Sequence, residues 1–416
     1  MNAPGERRFP AGFLWGAATS PTQIEGHLDN EWTHFTAHDG GNCRVACDSY
    51  HRYAEDVDWL ARLGLGAYRL GIEWSRLQPG PGAPLDRGEL DRYLDQLDRL
   101  RARGITPMVV LHHFSNPNWI NAAGGWNNPA AIPAYVDYVT RLVAAIGDRV
   151  TLWNTFNEPD TYACMTCLLG AYPPRHQWRF RQFRRVIRHM ARAHAQAGRI
   201  IRAAGTAARP MQVGIAKNWT FFEACRRFSP WDRAAAFIAH QGFNKFVLNA
   251  FLGGTRRRGA TFLGLNYYGR IRFHHFQAMV PAGGTPRTKL DDFGFVCDDM
   301  VERYPAGLGK ILAYFRRRFN LPVYITEHGT ASTDEPFRAA DLRENLTVLH
   351  DAIAAGANVK GFFYWSLLDN FEWQFGYTKK FGLLAVDFND PARPRTPKPL
   401  AEAYARIARA NALPAV

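Results

Sequence analysis

The chain has 416 residues, 47% of them hydrophobic and 21% charged. That balance supports a sizeable core and excludes disorder, and no run reaches the roughly 18 apolar residues of a membrane-spanning helix. The net charge of +14, carried mostly by arginine, raises nucleic-acid binding as a function, yet no zinc-finger, helix-turn-helix or RNA-recognition signature accompanies it.

In chain order, eight strand-like runs appear: FLWGAAT (13–19), AYRLGI (67–72), PMVVLHHF (107–114), VTLWNTF (150–156), MQVGIA (211–216), TFLGLNYY (261–268), PVYIT (322–326) and VKGFFYWS (359–366). Most are continuous rather than alternating, the pattern of parallel strands covered on both faces. Helical stripes fall between them. Tyr53, Val57, Leu60 and Leu63 form one, and Leu90, Leu94, Leu97 and Leu100 a second that stops at Gly104. Leu342, Leu346, Leu349 and Ile353 form another, stopped at Gly356, and residues 399–410 close the series. Glycine just past the last periodic residue ends a helix well.

The basic stretch 175–205 carries Val186, Met190, Ala193, Ala197 and Ile200 at helical spacing. Its arginines therefore read as the solvated face of an amphipathic helix, and no specific nucleic-acid partner is expected. The start, MNAPGERRFPAGFLWGAATS, lacks the layout of a secretory signal. The six cysteines, at 43, 47, 164, 167, 225 and 297, imply no disulfide framework in so large a chain. A cytoplasmic protein without a membrane partner is expected. CMTC (164–167) is a lone CxxC and reads as small packed residues. Aromatic residues, Pro230 and GGTRRRG give 217–260 the look of loops and short helices.

No repeat or linker divides the sequence, so residues 1–416 read as a single (β/α)8 barrel. A doubly wound sheet is the alternative, but it would show a glycine-rich phosphate turn after an early strand, and none is present. In a barrel, chemistry gathers at the C-terminal strand ends. Those ends carry Gln23 and Glu25, Arg69 and Glu73, His112 and His113, Asn157 and Glu158, Asn266, Tyr267 and Tyr268, Glu327 and His328, and Trp365 leading to DNFEW (369–373).

Two carboxylates stand out. Pro159 ends the fourth strand at Glu158, and Glu327 follows an apolar strand in YITEHG. Paired carboxylates facing across a pocket suit glycosidic bond cleavage. Metal binding is the alternative use; no HExxH spacing exists, and the surrounding tryptophans suit sugar faces better. No metal or cofactor is expected.

FLWGAATSPTQIEG, CDSYHRYAEDV, YRLGIEWSRLQP, TFNEP, GLNYYG, YITEHG and WSLLDNFEWQFGYTKKFGLL follow one another through almost the whole chain. In this order they resemble the blocks of glycoside hydrolase family 1, the β-glucosidase family. The resemblance implies a retaining double displacement with Glu158 as acid/base and Glu327 as nucleophile, the latter flanked by Arg69 and Tyr268. It implies sugar contacts from Gln23, His113, Asn157, Trp365, Glu372, Trp373 and Phe381. Glu158 should then have a raised pKa and Glu327 should be ionised. The expected substrate is a small β-glucoside, with β-galactosides or β-fucosides as co-substrates. The oligomeric state is left open. A transglycosylase, or a sugar-binding pseudoenzyme on the same fold, is the competing reading. Keeping Glu372 without a serine-lysine-tyrosine cradle argues against a 6-phosphorylated sugar. The departures from the family pattern are His328 for asparagine, Lys380 for arginine, Arg175 for glycine, a short loop after Glu25 and a trimmed 217–260.

Overall fold

The computed structural model describes residues 6–253, 259–279 and 296–415. All eight expected strands form, and they close into one parallel barrel in sequential order. They are β1 (Leu14–Ala18), β2 (Ala67–Gly71), β3 (Thr106–Val110), β4 (Leu152–Asn157), β5 (Gln212–Asn218), β6 (Leu263–Asn266), β7 (Val323–His328) and β8 (Val359–Trp365). The ring closes where β8 runs beside β1, with Gly361 opposite Leu14 and Trp365 opposite Ala18.

Helices α1 (Ser49–Arg62), α2 (Arg87–Ala102), α3 (Ala131–Ile146), α4 (Phe180–Ala203), α5 (Pro230–Ala239), α6 (Pro305–Arg318), α7 (Glu335–Ala354) and α8 (Pro399–Ala410) surround it. Local sequence starts and stops them. Asp86 accepts from the Glu89 N–H at the head of α2, and Asp334 from the Phe337 N–H at the head of α7. Gly104 and Gly356, with φ of +69° and +93°, take the left-handed turns after α2 and α7. The periodic residues Val57, Leu60, Leu97, Leu100, Leu346 and Leu349 are fully buried between helices and barrel. On α4, Val186, Met190, Ala193 and Ala197 are buried while Arg181, Arg184, Arg185 and Arg188 face solvent, as the amphipathic reading requires. Among the described residues no helix is long and apolar enough to cross a membrane.

The segment 217–260 is more regular than expected. Phe221–Ala224 joins Arg270–His274 and Gln277–Ala278 in a small three-stranded sheet. α5 continues through a π-helical stretch, His240–Phe246, into a further α segment, Val247–Leu252. Ser229 caps α5 by accepting from the Asp232 N–H, and Pro230 occupies its first turn. So Pro230, read as a loop signal, is a helix starter. Residues 254–258 of the GGTRRRG stretch lie outside the described residues.

Candidate active site

At the tip of β4 the Glu158 N–H donates to the Ala216 carbonyl at 2.8 Å, and the residue turns into the left-handed region (φ +39°). That turn ends the strand and opens a helix, Pro159–Cys167. The Glu158 carboxylate is buried and accepts from two side-chain amides: Asn266 to Oε1 at 2.7 Å and Asn218 to Oε2 at 3.1 Å. Glu327, at the end of β7, is buried too, but its partners differ. Arg69 Nη1 donates to Oε1 and the Tyr268 hydroxyl to Oε2, both at 2.6 Å. Asn157 joins the two halves. Its Oδ1 accepts from Arg69 Nη2 at 2.6 Å and from Asn266 at 3.0 Å, and its Nδ2 meets His113 Nε2 at 2.9 Å.

A second group forms the pocket wall. Gln23 Nε2 donates to Glu372 Oε2 at 3.1 Å, and to the Asn370 side chain and the Phe371 carbonyl, each at 3.0 Å. The His113 ring lies nearly parallel to both Trp365 and Trp373, with centroids 5.8 and 6.0 Å away. Phe381 packs edge-on to Tyr268 at 6.0 Å. The structure thus links all eleven sequence-predicted site residues into one constellation at the barrel mouth. Gln23 Oε1 and His113 Nδ1 are buried in it and have no hydrogen-bond partner among the described residues. Buried polar atoms are nearly always satisfied, so these two are where a ligand's hydroxyls would be held.

Charge is expensive in this pocket. Burial pushes the Glu327 carboxyl up to about 7 against the pull of Arg69, and the charge of Glu158 adds to the rise. The expected ionised form of Glu327 is thus favoured by Arg69 and Tyr268 and opposed by burial. Two buried carboxylates sharing one site oppose each other's ionisation, and one cation offsets only part of that. Glu372 rises to about 8, first through burial and then through Glu327.

Other residues at the strand ends do structural work. Glu25 is enclosed by Arg76, Arg92 and Tyr93 at 3.1, 3.1 and 2.9 Å. His112 sits between Asn116 and Trp126, each 3.1 Å from Nε2. The substituted His328 turns its ring away from the pocket, Nδ1 to the Tyr267 carbonyl at 2.8 Å and Nε2 3.3 Å from Asp341 on α7. Cys164 and Cys167 are free thiols on a helix. Two residues outside the predicted set matter. Asn218 holds Glu158 from the tip of β5, two residues beyond the expected strand end. Next to it Lys217 pairs with Asp160 at 2.8 Å, both fully buried. The signal was the polar pair Lys217-Asn218 stopping an apolar run.

An eight-stranded parallel barrel with two differently partnered carboxylates and aromatic walls at its C-terminal mouth defines a glycoside hydrolase. The model of glycosyl hydrolase family 1 matches residues 5–259 and 255–413, and the chain belongs to that family. Its relatives include beta-glucosidase A of Thermotoga maritima, 33% identical over 93% of this chain and 95% of that protein. The human cytosolic beta-glucosidase is 31% identical over 98% of this chain and 99% of its own. Among solved structures, a family 1 β-glucosidase from Thermotoga maritima superposes with a TM-score of 0.85 at 30% identity, covering 98% of this chain and 99% of that one. The Thermotoga maritima β-glucosidase in complex with glucoimidazole matches equally well, at 29% identity over 98% of this chain and all of its own.

Proposed function

We propose that the protein is a retaining β-glycosidase that removes the nonreducing terminal β-glucosyl residue from small glycosides, with β-galactosyl and β-fucosyl residues as alternative glycones. The unequal surroundings of the two carboxylates carry this reading. Glu327 is gripped by a cation and a phenol, which favour its charged form. It attacks the anomeric carbon while Glu158 donates its proton to the departing glycosidic oxygen. Glu158 then takes a proton from water, which displaces Glu327 and releases the sugar. Asn157, tied to Arg69, faces the 2-hydroxyl. Gln23, His113, Glu372 and Trp373 hold the remaining hydroxyls, Trp365 lies under the ring, and Phe381 lines the 6-position. The whole chain acts as one catalytic domain. It needs no cofactor and has no specific nucleic-acid or membrane partner. The free thiols of Cys43, Cys47, Cys164, Cys167 and Cys225 suit the cytoplasm.

Glu327→Gly should abolish turnover of 4-nitrophenyl β-glucoside. Glu158→Gln should spare cleavage of glycosides with good leaving groups and slow poor ones by about a hundredfold or more, the range of general acid catalysis. Equal loss for both classes of leaving group would overturn the acid role of Glu158. Near-normal activity in Glu327→Gly would overturn the nucleophile.

A further inference from the structure

Away from the sugar site, His27, Asp48 and His51 come together on the surface. One nitrogen from each ring and one carboxylate oxygen all lie within 4.8 Å of one another. Asp48 Oδ1 is 3.4 Å from His27 Nε2 and 2.6 Å from His51 Nδ1. Donors bound to zinc at about 2.0–2.1 Å stand about 3.3 Å apart in a tetrahedral site. The first separation already fits. The second opens to that value with a small rotation of the exposed His51 ring.

We propose that these three side chains form a binding site for one divalent transition-metal ion of the zinc, copper and nickel type. Two imidazole nitrogens and one carboxylate favour such ions over magnesium and calcium, which prefer oxygen. The ion takes His27 through Nε2 and His51 through Nδ1, each ring keeping its proton on the other nitrogen. Water fills the remaining positions. The backbone holds the ligands ready. His27 and Asp48 both sit in the left-handed region, with φ of 53° and 54°. The His27 N–H donates to the Arg44 carbonyl at 2.7 Å and the Asp48 N–H to the Val45 carbonyl at 2.9 Å. The neighbouring cations Arg76 and Arg92, stacked over Tyr50, are already engaged by Glu25 and Glu89.

The ion would clasp the two ends of the 27–48 loop. That loop carries Trp32, which packs on Trp373 with centroids 4.6 Å apart and donates to the Phe114 carbonyl at 3.0 Å. The site therefore braces one wall of the sugar pocket without touching substrate.

The test uses the untagged full chain with zinc, followed by calorimetry and melting, and with copper, followed by electron paramagnetic resonance. His27→Asn keeps a residue that tolerates the left-handed turn; His51→Gln removes the second ring. The expected results are one zinc per chain, a copper spectrum with two imidazole nitrogens, and a melting point raised by about 3 °C at a hundredfold excess over Kd. Each variant should lose about tenfold or more in affinity and the melting shift, while metal-free activity on 4-nitrophenyl β-glucoside stays unchanged. Wild-type zinc affinity in the double variant would overturn the proposal, as would an equal melting shift with magnesium or no binding at submillimolar zinc.

Discussion

Tyr268 donates its hydroxyl to one oxygen of Glu327, and Arg69 covers the other. Both bonds favour the charged carboxylate, and burial opposes it, leaving the group at about 7. In the proposed mechanism Glu327 must be ionised to attack carbon, so kcat/KM should rise with pH through that region. Tyr268→Phe removes a donor to the charged form. The carboxyl pKa then rises further, and the acidic limb of kcat/KM should move to higher pH. A pH–rate profile checks the direction; an unmoved or acid-shifted limb would count against it. Gly329 shows a steric constraint of the same sharpness. A Cβ there would lie 1.8 Å from the Trp365 carbonyl oxygen, a backbone atom with no flexible side chain to yield. Gly329→Ala must displace either the Glu327 strand tip or the Trp365 backbone. A loss of about a hundredfold in kcat/KM is expected, in line with misplacements near 1 Å, and activity assays on the folded variant measure it.

At the scale of elements, the strands were legible because parallel strands buried on both faces write themselves as short apolar runs. Helices α1, α2, α4 and α7 were legible from their apolar stripes, α2 and α7 also from their glycine stops. The barrel directed attention to the strand tips, but it was the resemblance to glycoside hydrolase family 1 that singled out the eleven site residues, since Glu25, His112 and His328 stand at strand tips too and pack elsewhere. What the sequence concealed was decided by tertiary pairing. The β5 strand reaches Asn218 because Lys217 finds Asp160 in the interior; a lysine normally ends a buried strand, and only a partner from another element changes that. The protonation of Glu327 was likewise hidden, because it depends on how deeply two distant segments bury each other. The Lys217–Asp160 pair lies beside Glu158, and Lys217→Met would leave Asp160 buried without its cation. Removing one member of a buried pair costs about 3–5 kcal/mol. The cost should be larger at pH 8 than at pH 5, since Asp160, held near 7, is already neutral at the lower pH. Urea unfolding of the variant at both pH values tests this, and an equal loss at both would contradict it.

Over the whole molecule, burial raises several carboxyls together: Glu31 and Glu372 to about 8, and Asp160, Asp298 and Glu327 to about 7. Between the ordinary carboxylate range and those values the folded chain keeps protons that the unfolded chain has released. Folding stability then falls as pH rises through that window. Buried His112, lowered to about 4, and His113, also lowered, act oppositely, but only below their ordinary value of 6.5. From pH 6.5 to 8 the carboxyls dominate, so the urea midpoint should drop across that interval. A midpoint that climbs instead would show that these buried carboxyls are not held protonated.

The closure of β8 onto β1 has a consequence for how the molecule is made. Gln23 stands just past the first strand of the barrel, while its partners Asn370, Phe371 and Glu372 stand just past the last, some 347 to 349 positions away. During synthesis Trp365 and the three DNFEW contacts Asn370, Phe371 and Glu372 emerge only after the other seven strands of the barrel. Glu158 and Glu327 precede the strand that closes the ring. Such distant pairing is slow to form. Catalytic competence is therefore expected only after β8 has paired with β1, late in assembly.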